Sequence, residues 1–348
     1  MKRLARVVSV HILWCLVASS WFLLFACSED TGQWVQLPLR EDDIRCLAVD
    51  PVRPTTVYAG TWANGVFRSE NSGSTWRATG TDLPDGACIG CLAIGAGTPA
   101  TLYAGTAGQG IFVSTDAGSH WTPANYGLDE KRVQCLATSP SVPGTLYAGT
   151  YGGVFRSTDG GRSWSETDTG LANLHVCSLV IDPATPSLLY AGTYGSGIFR
   201  SSDDGATWTA ANVGVPYANV WALSINPVSA AVYAGTEGGG LFISTNGGGL
   251  WTAANAGLAS RNIHSIVMDP ATLSTLYAAS YGGGVFCSKD AGASWTPMNA
   301  GLAKTDVWVL AAIHGTRTTL LAGTHGGGVF RYIVRADSAD ARAGMPPS

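Results

Sequence analysis

The sequence predicts an all-β fold, a single seven-bladed β-propeller built from four-stranded blades. Three observations predict it. An eight-residue box, S-x-D-x-G-x-[ST]-W, recurs at 69–76, 114–121, 157–164, 201–208, 244–251 and 288–295, and its tryptophans step by 45, 43, 44, 43 and 44 residues. A second signature, Tyr-Ala-Gly-Thr, recurs at Tyr58, Tyr103, Tyr147, Tyr190 and Tyr233, then decays to Tyr277-Ala278-Ala279-Ser280 and Leu321-Ala322-Gly323-Thr324. Seven units of about 44 residues match the period of a four-stranded blade. No window after the N-terminus carries a helical 3.6-residue period.

The fourth unit shows how each element arises. An apolar run at 176–181 is stopped by Asp182-Pro183, because proline cannot donate to a ladder. A second strand at 188–193, a glycine-rich turn and a third strand at 197–201 follow. The box comes next, and a last strand begins at Trp208. These read as four strands of about five or six residues, β-branched and aromatic, punctuated by Gly, Pro, Asp and Asn. One such sheet cannot cover its own apolar faces; radial stacking buries them between neighbours and leaves only short edges. The 45 glycines suit tight turns and crowded inner strands.

The ends of the chain predict how the ring closes. Unit seven has strands around Trp308, Leu321 and Phe330, but 331–334 runs on with no box behind it. The missing outer strand is expected at 33–37, where Trp34 lies 42 residues before Trp76 and nearly keeps the register. Pairing it with the last blade removes an open edge. Residues 28–334 are therefore the propeller.

Residues 1–27 read as an export signal. Lys2, Arg3 and Arg6 precede a largely apolar stretch, and Leu24-Phe25-Ala26-Cys27 resembles a bacterial lipoprotein cleavage site with Cys27 as the lipidated residue. Ordinary cleavage and an uncleaved anchor are the alternatives. Residues 335–348, polar and without strand pattern, are expected to be a disordered tail. The expected location is the bacterial cell envelope, lipid-anchored at a membrane or periplasmic.

Without the three signal cations, 17 basic residues face 24 acidic ones. No basic stripe remains, which argues against nucleic acid as a partner. Cys46, Cys91 and Cys135 share one first-strand position with Ser178, Ala222, Ser265 and Val309, a small-residue packing slot. Cys88-Ile89-Gly90-Cys91 matches C-x-x-C but lacks the βαβ setting of a redox motif.

In the boxes, Asp116, Asp159, Asp203 and Asp290 are expected to be structural. Each carboxylate accepts backbone N–H groups of its own turn, Gly takes the left-handed position and Trp folds back over the hairpin. Asn71 and Asn246 replace Asp in two copies, which suits a turn better than an acid/base role. A calcium loop needs more oxygen ligands than the box offers.

These boxes resemble the Asp-box (BNR) propellers, which include sialidases, xyloglucanase-type glycosidases, sortilin-type receptors and photosystem II assembly-factor-like proteins. The resemblance covers most of 30–334 and implies the fold; the family spans enzymes and pure binders. Sialidases bring an arginine triad with an F-R-I-P motif. Here Phe67-Arg68, Phe155-Arg156, Phe199-Arg200 and Phe330-Arg331 recur without a following Ile-Pro. The wording of the repeats is closer to xyloglucanase-type and assembly-factor-like sequences. Xyloglucanases place catalytic aspartates between two propellers, and one propeller fits here.

Functional variety is expected on the face opposite the boxes. The residue after Tyr-Ala-Gly-Thr reads Trp62, Ala107, Tyr151, Tyr194, Glu237, Tyr281 and His325 around the ring. An early first-strand position reads Arg45, Gly90, Gln134, Cys177, Trp221, His264 and Trp308. Together they predict an aromatic-rich rim suited to sugar rings, peptides or cations. The competing reading is that the rings pack across the axis and cap the tunnel. Glu237, His264 and His325 are the weak catalytic candidates, with Asp42, Asp43, Asp129 and Asp306 as possible second acids. A glycosidase needs two facing carboxyls. No metal-ligand spacing, nucleophile elbow or phosphate loop appears, so neither metal nor cofactor is expected. The leading expectation is a monomeric, non-catalytic binding or assembly scaffold, lipid-anchored to a membrane, with a protein or glycan ligand. The alternative is a glycoside hydrolase or sialidase-like carbohydrate-active protein.

Overall fold

The computed structural model describes residues 32–40, 43–80, 82–95 and 100–335. Cys27 with the rest of the segment expected to be an export signal, Asp42 and residues 336–348 lie outside the described residues. Seven antiparallel four-stranded sheets form the ring. In the fourth blade the strands are Val176–Ile181, Leu189–Thr193, Ile198–Ser201 and Thr209–Ala210, running from the axis outward. The seventh blade is completed by Trp34–Gln36, which pairs with Gly328–Ile333 so that Trp34 faces Tyr332 and Gln36 faces Phe330. The ring is a seven-bladed all-β propeller closed by its N-terminal strand.

Hydrophobic burial is divided among seven clusters, one at each blade boundary. Between the third and fourth blades, Tyr147 and Val154 meet Val176, Leu189, Phe199 and Trp208. At the closing boundary, Leu321 and Val329 meet Ile44, Val57 and Ala59. Six of the seven second strands are buried along their whole length, 146–150 for example, and the seventh is buried from Leu320 on. The glycine in that strand is a packing requirement: a Cβ on Gly149 would lie 2.4 Å from Cys135 Sγ and 2.8 Å from Val176 of the next blade. The six described cysteines are free thiols. Burial pushes the Cys91 thiol up to about 12.

The outer strands are shorter than the sequence suggests, only two residues at 165–166, 209–210 and 252–253. The box tryptophan explains it, because it belongs to two blades at once. Trp164 N–H donates to Tyr126 O at 2.9 Å, and its indole Nε1 donates to Ala124 O at 2.8 Å, both in the preceding blade. Trp208, Trp251, Trp295 and Trp34 repeat the indole bond. The indole therefore staples neighbouring blades while still covering its own turn, Trp164 Cζ2 lying 3.7 Å from where a Cβ on Gly161 would stand.

The boxes close their turns with side-chain bonds. Asp159 Oδ1 accepts Ser157 Oγ at 2.8 Å and Ser163 N at 2.9 Å, while Oδ2 accepts Ser163 Oγ at 2.6 Å. Asp203 and Asp290 do the same, and Asp116 accepts the backbone and ring nitrogens of His120. The Ser163 hydroxyl and then its backbone N–H hold the Asp159 carboxyl at about 2. Asn71 and Asn246 accept the equivalent backbone bond at 2.8 Å, so an amide meets the geometric need. Two successive residues are left-handed in these boxes: Ala117 (φ 61) precedes Gly118 (φ 87), and Ala291 (φ 57) precedes Gly292 (φ 93).

Candidate functional site

Each first strand breaks register one residue after it starts. Ile44 faces Thr61 and Cys46 faces Gly60, which leaves Arg45 as the extra residue of a β-bulge. The same break leaves Gly90, Gln134, Cys177, Trp221, His264 and Trp308 unpaired in the other blades. A bulge re-aims its side chain. Seven bulges therefore present one variable position per blade on a single face.

The residue after each second strand is pinned beside the bulge of its own blade. Trp62 N–H donates to Asp43 O at 3.0 Å, Tyr151 to Arg132 O at 3.1 Å, Tyr194 to His175 O at 2.9 Å and Glu237 to Asn219 O at 3.0 Å. These acceptors stand two residues before the bulge and form a third ring, of which the sequence offered only Asp43 and Asp306, because a search for second acids passes over the other residue types. Arg132, His175 and Asn219 were missed for that reason. Their signal was present: the two-residue offset from Gln134, Cys177 and Trp221 repeats in every unit.

The three rings assemble an arc of stacked side chains. Arg132 lies 4.6 Å over Tyr151, which stacks on His175 at 3.9 Å. The arc continues through Tyr194 at 5.3 Å, Trp221 at 5.8 Å and His264 at 5.5 Å. Trp308 meets His264 edge-on at 4.7 Å, and Tyr281 touches both. Arg45 closes the far end, 4.5 Å from Trp308 and 4.3 Å from Trp62. The arc is interrupted at the second blade, where Gly90 and Ala107 carry no ring, and a cavity of about 300 Å³ opens there. Trp62, Tyr194, Tyr281 and Tyr151 remain 49%, 44%, 41% and 38% exposed, enough to offer a face to a ligand.

The charges are few and fixed. Glu237 Oε2 accepts Asn219 Nδ2 at 2.9 Å and Trp221 Nε1 at 3.4 Å. Burial drives His264 down to about 4, although the Glu237 carboxylate pulls the other way. Burial, then the Arg132 charge, also lowers His175. His264 is therefore neutral at pH 7. Burial first, then Glu237, raises the Cys177 thiol to about 12. Trp308 Nε1 and His175 Nε2 are buried without hydrogen-bond partners among the described residues.

Glu237, His264 and His325 are not brought together as a proton-sharing set. Trp221 stands between Glu237 and His264, and Trp308 stands between His264 and His325. His325 Nδ1 instead meets Asp43 Oδ2 at 3.0 Å, and Asp43 Oδ1 accepts Gly326 N at 2.5 Å, which clamps the first blade to the seventh. Asp306 supplies a backbone carbonyl to His325 N, and Asp129 is an exposed loop residue. The repeated arginines lie elsewhere, Arg68 and Arg156 sitting 5.9 and 5.8 Å over Tyr58 and Tyr147. Among the described residues no three His, Cys, Asp or Glu side chains cluster as metal ligands. A larger cavity of about 420 Å³ lies on the box face between the last two blades. Its Asp269 is already bonded to Tyr277 Oη and Thr318 Oγ1, at 3.1 and 2.9 Å.

Fold and face together define a propeller scaffold with one aromatic-lined end. No protein-family model matches the sequence, and no curated protein matches it. Solved structures do match. The xyloglucanase of glycoside hydrolase family 74 from Xanthomonas campestris is 18% identical with a TM-score of 0.67, over 86% of this chain and 53% of its own. The extracellular domain of BT4673 from B. thetaiotaomicron is 19% identical with a TM-score of 0.69, over 88% of this chain and 40% of its own. YCF48 bound to D1 peptide is 16% identical with a TM-score of 0.67, over 87% of this chain and 97% of its own. The chain thus spans about half of the xyloglucanase and nearly all of YCF48. At these identities the likeness is one of fold.

Proposed function

We propose that this chain is an Asp-box-type propeller acting as a non-catalytic binding or assembly scaffold. In this reading it is exported to the bacterial envelope, held there by lipid on Cys27, and binds a protein or glycan on its aromatic face. One observation carries the binding role: a continuous arc of rings, partly exposed, borders a cavity where both variable positions of the second blade are small. Aromatic faces of this kind supply contact area at low conformational cost. The carboxylates nearest the arc support binding over hydrolysis. Glu237 is held by Asn219 and Trp221, Asp43 by His325, and ring side chains separate the two. A glycosidase acid pair faces one cleft with nothing between.

The test is retention of ligand on a glycan array and in envelope-extract pull-downs. Tyr194→Ala is expected to lose binding while staying folded; unfolding comparable to that of Trp164→Ala would return the rings to a packing role. Metabolic labelling with a palmitate analogue tests the anchor, and label persisting in Cys27→Ser would exclude that site.

A further inference from the structure

The two ends of the arc differ in charge, and, given the binding face proposed above, that difference narrows the ligand. Arg45 lies on the cavity wall between the Trp62 and Trp308 rings and makes no ion pair among the described residues. The other cation there, Arg132, is already neutralised by Glu130 through bonds of 3.0 and 2.7 Å. The cavity therefore carries one uncompensated positive charge, with the Gln134 amide beside it. At the blade-five end, Glu237 makes no ion pair among the described residues. Its Oε2 is held by two neutral donors, and its Oε1 has no partner there. Arg45 and Glu237 do not neutralise each other, because Trp308, His264 and Trp221 stand between them. His264 adds no charge to this track at neutral pH, being buried among rings.

We propose that the face binds a short extended peptide segment. A carboxylate of the peptide sits on Arg45, a basic group a few residues away sits on Glu237, and apolar side chains lie over the intervening rings. Charge complementarity selects this class. A neutral glycan would use the rings and neither charge. An acidic glycan or a nucleic acid would use Arg45 and be repelled by Glu237. A peptide carries both signs, an apolar content that suits tryptophan and tyrosine faces, and backbone groups for the Gln134 amide.

The experiment uses the full chain, immobilised, and pools of random tetrapeptides read by mass spectrometry. One pool is free at both ends, a second is C-terminally amidated and lacks Asp and Glu, and a third is N-acetylated and lacks Lys and Arg. Oligogalacturonate and cello-oligosaccharides are run beside them. The free pool is expected to be retained about tenfold over either blocked pool, the order expected for one charge-assisted contact. Arg45→Gln abolishes the preference against amidation and Arg45→Lys keeps part of it; Glu237→Gln abolishes only the preference against acetylation. Equal retention of the three pools, or preferences that survive in Arg45→Gln and Glu237→Gln, overturns the proposal. Retention of an oligosaccharide without peptides, lost in Tyr194→Ala, leaves the binding face standing and removes the peptide. Retention unchanged by Tyr194→Ala for every probe removes the binding face as well. Melting temperatures of all variants within a few degrees of the parent show that the readout is binding.

Discussion

The two faces of this ring are built from the same repeat and treat it in opposite ways. On the box face, six units close one turn with the same Ser, Asp or Asn, and Gly, and four of them pass an indole hydrogen bond to the preceding blade. On the opposite face, an equally regular device, the seven bulges, presents six different residue types, tryptophan alone recurring. Regular backbone with invariant side chains makes a joint. Regular backbone with variable side chains makes a surface that can be specific.

The largest expected contrast is in stability. Trp164 is 5% exposed and bonded across a blade boundary, so Trp164→Ala should cost about 3–5 kcal/mol by urea denaturation. Tyr194→Ala, 44% exposed at the start, should cost about 1 kcal/mol or less. Similar losses would erase the distinction between joint and surface.

A second contrast is in acid. His264 binds its proton more weakly folded, at about 4 against 6.5, so the unfolded chain takes up more protons in that window. Stability should be full above pH 6.5, fall by on the order of 3 kcal/mol down to about pH 4, and level off below. His264→Phe should flatten that limb in a denaturation series. The box carboxylates act lower: depressed to about 2, they stabilise above the unfolded value near 4 and lose that contribution as pH falls through about 2.

Smaller effects probe the joints themselves. Trp121 Nε1 is buried without an acceptor among the described residues, whereas Trp164 Nε1 has one. Trp164→Phe should therefore cost about 1 kcal/mol more than Trp121→Phe in paired denaturation curves. Ala117→Gly should raise stability by about 1 kcal/mol, because Ala117 holds a left-handed φ of 61 that glycine adopts freely. A loss on Ala117→Gly would show that its methyl group packs more than its backbone strains.

Much of the fold was legible because periodicity carries it: the Trp spacing counts blades, and the lone Trp34 reveals the closure. The cross-blade partner of the box tryptophans was not legible. Local pattern places Trp164 beside its own hairpin, while its acceptor lies 40 residues upstream in another blade. The rim positions were found as variable slots in a monotonous repeat. What made them one face, the bulge at Arg45 and its six equivalents, leaves no mark in residue type. His175 and Arg132 were missed for the related reason that they sit in loops, where a ring or a charge reads as solvated until a neighbour is known.

The closure by Trp34–Gln36 fixes how a mechanical load would enter the molecule. This strand starts on the box face, so a chain held by its N-terminus hangs with the aromatic end pointing away from the point of attachment. Any pull along that leash reaches the ring through the three paired residues, the Trp34 indole on Met298, and flanking bonds such as Trp34 N–H to Ala300 O and Leu37 N–H to Val329 O. The clasp that completes the circle thus shares its load between two blades, the seventh through its pairing and the first through the chain that continues to Ile44.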